Sequence, residues 1–324
     1  MALRVGLIGA GAMGSLHARV LSSAEATELA WIADPDRESG ERIAGRFGAK
    51  WLPEPEITGI DAVINAAPTQ FHHDHAMAAI SAGLPLLVEK PLSDSLAQVE
   101  EIIDASRRAE TVLMCGLLER FNPAVRTAVE IARDPLHVST TRHSPYAERI
   151  RTGVASDLLI HDIDLVVRLM GEPPVAVTGH YGYFEPRSTA GSEDVAEATL
   201  RFSAGQIASL SVSRMAQHKI RSLTIGELNR LIEVDMLRQS ITIYRHVQGA
   251  AYDEDAGYSQ QTIIEIPVVR HPGEPLQLQL DQFVRLIEGG ADIDAERDSL
   301  LLPHVVIDRV AASARGIDPP TTAR

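Results

Sequence analysis

Asp157 and His161 stand four residues apart, with Asp164 and Arg168 following at i+7 and i+11 from Asp157. On a helix over residues 153–171 that spacing lines up all four along one face. Apart from Asp162, the rest of the stretch from Leu158 to Met170 is apolar, so the helix must be largely buried. Buried charge is costly unless it is paired or used. A carboxylate can set an imidazole's tautomer and raise its basicity, which makes Asp157 with His161 a candidate acid–base pair. Asp164 with Arg168 reads as a structural ion pair. A third candidate is Lys90, in Glu89-Lys90-Pro91, directly after the apolar run Leu84–Val88.

These side chains need elements to hold them. Arg4–Ile8 is a short apolar run, Gly9-Ala10-Gly11-Ala12-Met13-Gly14 follows at once, and Ser15–Leu21 continues at helical spacing. That order is strand, glycine turn, helix. Gly9 permits the tight turn and Gly11 permits backbone N–H groups to approach a pyrophosphate. Gly14 lets the helix lie close on the strand, and the N–H groups of Ala12 and Met13 lie at its positive end. Asp34 closes the next apolar run and can accept the ribose hydroxyls of a dinucleotide. Its charge favours NAD over NADP, while Arg37 beside it leaves a bound 2′-phosphate open.

Further strands are expected at residues 61–66, 83–88 and 111–118, with helices at 38–48 and 96–107. In a doubly wound sheet, ligands sit beyond the carboxyl ends of the strands, where Pro68-Thr69 and Glu89-Lys90-Pro91 both fall. His72, His73 and His75 open the helix after Pro68. They read as a helix cap or solvated surface rather than a metal site, because no Cys joins them.

With 324 residues the chain can form two domains around substantial cores. A net charge of −14 argues against nucleic acid and anionic membranes as partners. The lone Cys115 lies in an apolar run and reads as core. A core strand begins by about Leu3 and no apolar run approaches the roughly 20 residues needed to cross a bilayer. The expectation is a cytoplasmic protein.

Gly9-x-Gly11-x-x-Gly14, Asp34, Pro68-Thr69…His72, Ala82-Gly83 and Glu89-Lys90-Pro91 resemble the Gfo/Idh/MocA family, that of glucose–fructose oxidoreductase and inositol dehydrogenase. The likeness continues through Glu119-Arg120-Phe121-Asn122-Pro123 and Asp157…His161-Asp162-x-Asp164 to the C-terminal helices. It implies an α/β protein: a Rossmann domain with a doubly wound parallel sheet over residues 1–119, then an α+β domain over 120–324 with an open, largely antiparallel sheet. It implies catalytic positions at Lys90, Asp157 and His161, and a homodimer or homotetramer formed through the open sheet. The expected cofactor residues are Gly9, Gly11, Ala12, Met13, Gly14, Asp34, Arg37, Pro68, Thr69, His72, Glu89 and Lys90. No metal is expected.

The expected reaction moves a hydride between nicotinamide and a secondary alcohol of a sugar. His161, aided by Asp157, takes the hydroxyl proton while Lys90 stabilises the oxygen; proton transfer through Lys90 itself is the alternative. Glu119–Pro123, Arg149-Ile150-Arg151 and Lys219-Ile220-Arg221 resemble the family branch that acts on nucleotide sugars, UDP-N-acetylglucosamine 3-dehydrogenase among them. Arg149, Arg151, Lys219 and Arg221 concentrate positive charge that would suit a diphosphate, with solvated strand charge as the competing reading. Substrate contacts are thus expected from Lys90, Arg120, Arg149, Arg151, Asp157 and His161. Leu117-Leu118 departs from the family pattern, in which a polar residue often precedes the acid. Two other readings stand: a free-sugar or inositol dehydrogenase, and a non-catalytic NAD(P)-binding sensor.

Strands are also expected at 175–184, 195–202, 206–215, 219–225, 230–235 and 240–246. Loops are expected at 185–193 and 248–261, and closing helices at 275–288 and 299–315.

Overall fold

A computed structural model describes residues 2–147, 152–186, 188–189, 191–248 and 260–314. The chain divides into two compact units, Met1–Leu118 with Gly273–Val305, and Glu119–Pro272 with Val306–Arg324. Residues 273–305 therefore belong with the first unit, whereas the sequence reading gives them to the second.

The first unit alternates strand and helix: β1 (Leu3–Ile8), α1 (Ala12–Ser23), β2 (Thr27–Ala33), α2 (Arg37–Phe47), β3 (Lys50–Leu52), β4 (Ala62–Asn65), α3 (His72–Ser81), β5 (Leu86–Val88), α4 (Leu96–Arg108) and β6 (Leu113–Cys115). The strands form one parallel sheet in the order β3-β2-β1-β4-β5-β6. Its central strands are near-continuous apolar runs such as Leu86–Val88, fully buried because helices cover both faces. The order reverses between β1 and β4, which makes their carboxyl ends the topological switch point.

Two helices from later in the chain complete this unit; numbered in chain order they are α7 (Pro275–Ile287) and α8 (Ile293–Asp298). Arg19 on α1 pairs with Glu274 at 2.6 Å, and the buried Arg297 donates to the Thr111 carbonyl at 3.0 Å. His304 accepts the Leu92 N–H at its Nε2, so Nδ1 carries the proton and donates to the Leu300 carbonyl.

The second unit holds α5 (Pro123–Ile131), β7 (His137–His143), α6 (Ile160–Met170), β8 (Ala176–Gly182), β9 (Val195–Arg201), β10 (Ile207–Ser213), β11 (Ile220–Glu227), β12 (Arg230–Asp235), β13 (Ser240–Gln248) and β14 (Gln260–Glu265). Its eight strands run β14-β13-β12-β11-β7-β10-β9-β8. Only β7 and β10 pair in parallel; the other pairs are antiparallel. The largely antiparallel sheet matches the expectation. Strand periodicity buries Ala208, Leu210 and Val212 on one face and leaves Ser209 and Ser211 on the other. The last helix, α9, spans Leu301–Ala314, and Pro303 lies in its first turn, where no backbone N–H bond is lost.

The helix carrying Asp157 and His161 is not one continuous α-helix. Ala155–Leu159 is a π turn, and α6 takes over at Ile160. The wider turn breaks the regular spacing on which a single shared face depends, and such turns recur at functional sites. The segment before β9 caps its start. The Glu193 carbonyl accepts from Val154 N–H at 3.1 Å and its carboxylate from Ala155 N–H at 2.8 Å. Gly153 leaves room for this contact: a Cβ on it would lie 2.1 Å from a Glu193 oxygen, and the carboxylate would have to move.

Burial pushes the Glu193 carboxyl above its ordinary value, against the opposing pull of the Ala155 N–H and the Arg214 charge. A raised carboxyl pKa contributes stability below the ordinary glutamate value and loses it as pH rises through the raised one. Glu193→Gln, uncharged throughout, should therefore gain in melting temperature relative to wild type between pH 5 and pH 8, by on the order of 3 °C. Calorimetry at the two pH values checks this, and an equal difference at both would contradict the burial cost.

Candidate active site

Four adjacent strand ends carry the expected cofactor residues. Gly9 N–H donates to Ala33 O, Ala66 N–H to Ile8 O, and Glu89 N–H to Asn65 O, all at 2.8 Å. These bonds set Asp34, the glycine turn, Ala66–Ala67 and Glu89–Lys90 side by side at the carboxyl ends of β2, β1, β4 and β5. Gly9 has φ +97°, and a Cβ on Gly14 would lie 1.9 Å from the Gly9 carbonyl, so no side chain fits either position. Gly11 faces open space and begins α1 with no side-chain cap and no acid in the first turn. The N–H groups of Ala12 and Met13 open that helix. A helix start so bared fits the pyrophosphate of NAD.

The Asp34 carboxylate is pinned by two backbone N–H groups, Ala10 at 2.7 Å and Asp36 at 2.8 Å, one on each oxygen. Each oxygen retains a lone pair for a ribose hydroxyl. Arg37 Nε pairs with Glu41 at 2.9 Å, and its guanidinium lies 5.5 Å from the centre of the Trp51 ring.

Two residues assigned to the cofactor on sequence grounds have their side chains turned to the protein. The Glu89 carboxylate is buried against His17 of α1, Oε1 to Nε2 at 2.8 Å, and its other oxygen lies where a Cβ on Gly116 would fall. His72, equally buried, sets Nδ1 2.9 Å from the Pro91 carbonyl and Nε2 2.8 Å from the Ala67 carbonyl. It is an internal brace between two strand ends, and not the cap or solvated residue its sequence surroundings indicated. His73 does lie at the surface, on Glu101 and Asp74. Pro68 precedes a short 3₁₀ turn, Thr69–Phe71. Lys90 is half-buried directly after Glu89. His17 escaped the sequence reading, although a polar residue on the inward face of α1 was the available signal.

In the second unit Asp157 and His161 are both half-buried. Asp157 receives Arg214 Nη2 on its Oδ2 at 3.1 Å. Arg214, just past β10, carries no sequence pattern that marks it. Asp164 pairs with Arg120, not with Arg168 as expected: Nε reaches Oδ2 at 2.8 Å and Nη2 reaches Oδ1 at 2.6 Å. Arg120, expected at the substrate, is buried and holds Asp164 in that bidentate pair.

Arg142, inside β7 and fully buried, donates Nε and Nη2 to one oxygen of Asp162, and Nη1 to Glu119 at 2.7 Å. Burial works against the Glu119 carboxylate, but the Arg142 charge prevails and holds its pKa below the ordinary value. Arg221, the register partner of Arg142, is half-buried; burial and the Arg142 charge lower its pKa. Lys219 is exposed. Arg149 and Arg151 lie outside the described residues.

Among the described residues no helix is long and apolar enough to cross a membrane. Residues 3–117 match the oxidoreductase family with an NAD-binding Rossmann fold, and residues 126–231 match the Gfo/Idh/MocA C-terminal domain. UDP-N-acetylglucosamine 3-dehydrogenase of Acidithiobacillus ferrooxidans is 28% identical over 76% of this chain and 78% of its own. Inositol 2-dehydrogenase 2 of Paenarthrobacter aurescens is 31% identical over 67% of this chain and 70% of its own. The solved structure of the Acidithiobacillus ferrooxidans enzyme superposes with a TM-score of 0.85 at 23% identity, covering 97% of this chain and 98% of that one, a likeness of fold. The bared glycine turn, the pinned Asp34 and these two matched regions together place the chain in the Gfo/Idh/MocA oxidoreductase family, with NAD as its cofactor.

Proposed function

We propose that this protein is an NAD-dependent dehydrogenase that interconverts a secondary alcohol and a ketone on a sugar, specifically a nucleotide sugar. The observation that carries the reading is the placement of Lys90 at the carboxyl end of β5, two strands from the glycine turn in the same sheet. The 28% identity to a UDP-N-acetylglucosamine 3-dehydrogenase supports the nucleotide-sugar substrate. The 31% identity to an inositol 2-dehydrogenase favours, as a second reading, a free cyclitol or sugar.

NAD, when bound, supplies a nicotinamide that accepts or returns a hydride at the carbinol carbon. The chain's residues do the rest. The Asp34 carboxylate orients the adenosine ribose. The Lys90 ammonium hydrogen-bonds the reacting oxygen and stabilises the negative charge that develops on it. His161 takes the hydroxyl proton, and Asp157 orients the imidazole and stabilises its charged form. The outer sheet face, with Ser209 and Ser211 exposed to it, forms a homodimer or homotetramer, and the protein works in the cytoplasm.

Lys90→Ala and His161→Ala should each lower kcat by roughly 100-fold or more while NAD still binds. Reduced-nicotinamide absorbance with a panel of UDP-, dTDP- and GDP-sugars, free sugars and inositols reads the turnover, and cofactor fluorescence reads the binding. Wild-type kcat in either variant removes that residue from the reaction, and a wild-type protein silent across the whole panel favours a sensor.

Asp34→Ala removes both the ribose acceptor and the partner of Ala10 N–H, so NAD affinity should fall by about 10-fold. The ratio of kcat/KM for NADP to that for NAD should rise, because a 2′-phosphate no longer meets a carboxylate. An unaltered ratio would contradict the role given to Asp34.

A further inference from the structure

The geometry points to Arg214 as a positioning residue that holds the Asp157 carboxylate in its working orientation, a role that rests on the reading of Asp157 in the proposed reaction. Asp157 sits in the middle of the Ala155–Leu159 π turn, whose wider geometry sets it off the line of a regular helix, as recurs at functional sites. Arg214 is the first residue after β10, and its backbone is held by the bond from its N–H to the Asp194 carbonyl at 2.9 Å. Asp194 is itself buried, with its carboxylate closed by Phe184 N–H, Glu185 N–H and the Ser188 hydroxyl. The guanidinium therefore projects from a rigid base.

Its side chain is 5% exposed, and among the described residues Asp157 is its one hydrogen-bonded side-chain partner. The contact runs through one nitrogen and one oxygen, and Asp157 keeps 24% of its side chain exposed. The Arg120–Asp164 pair in the same unit is different: both of its side chains are closed off from water, as a structural pair requires. Arg214 anchors one oxygen of a carboxylate that still faces outward. Its charge also reaches Glu193, the carboxylate that caps the same helix start. One cation at the end of β10 thus anchors the reactive turn to the sheet. A planar guanidinium on a fixed stem sets direction as well as charge, which an ammonium does less well.

The test uses the full-length protein with the best substrate of the panel. Arg214→Met should lower kcat by roughly 10- to 100-fold, the cost of a misplaced reacting group, with NAD affinity within about twofold of wild type. Arg214→Lys should recover a large part of that loss. In an Asp157→Asn background, Arg214→Met should cost less than about threefold more, because the two residues act as one unit. A crystal structure of Arg214→Met should show the Asp157 carboxylate turned or disordered; this readout needs no turnover and also applies if the methionine variant folds only at low temperature.

Wild-type kcat in Arg214→Met, a full loss repeated in the Asp157→Asn background, or an unmoved Asp157 in the crystal would each overturn the assignment. Arg214→Lys no more active than Arg214→Met, with an equal drop in melting temperature, would reduce Arg214 to a structural role and overturn it too. If Asp157→Asn alone keeps full kcat, the reading of Asp157 fails and takes the inference with it; if Asp157→Asn is inactive and Arg214→Met is not, only the inference fails.

Discussion

A guanidinium with no access to water is tolerable only when anions surround it, and Arg142 imposes that condition on the second unit. Its three nitrogens engage Asp162 on α6 and Glu119 at the unit's first residue. The pair therefore fixes α6 over β7 and brings in the chain where the unit begins. Its net worth in stability is small, because desolvation offsets most of the attraction, but removing one partner leaves a buried charge at a cost of about 3–5 kcal/mol. Such a contact specifies where things go more than it adds stability. Arg120 with Asp164 repeats the device two residues along, on a different side of the helix, so α6 is held by two polar locks and by its apolar face.

The first unit uses the same logic with a different purpose. His17 reaches from α1 to Glu89 at the end of β5, and His72 spans the ends of β4 and the turn after Lys90. Both bonds lie behind the residues proposed to meet cofactor and substrate. Parallel strands end in carbonyls and turns that packing alone would leave loosely placed. Buried side-chain bonds across neighbouring ends make the rim of the sheet stiff enough to hold a ligand.

Much of this was legible in the residues. The glycine turn, Asp34 and the strands at 61–66 and 83–88 announce themselves because backbone constraint and burial both act within a few residues. What stayed hidden depends on distant partners. β7 is central to its sheet, yet two of its three inward positions are Thr140 and Arg142, so the alternation that marks a strand is missing. β3 and α8 are too short to show a period. The sequence shows the charge of Arg120 and not the Asp164 that pairs with it, 44 residues on. Arg214, His17 and Glu193 have meaning only across chain separations that local pattern does not span.

The return of residues 273–305 to the parallel-sheet unit has a consequence for biosynthesis. Residues 119–272 of the second unit interrupt the first between β6 and α7, and the chain returns to the second unit at Val306. A nascent chain that has emerged as far as Leu118 holds all six parallel strands but lacks the cover that α7 and α8 give to α1 and β6. Its apolar edge then stays open while some 150 further residues are made, at about 5–20 residues per second. A fragment cut at Leu118 would carry every residue of the glycine turn and still lack part of its own shell.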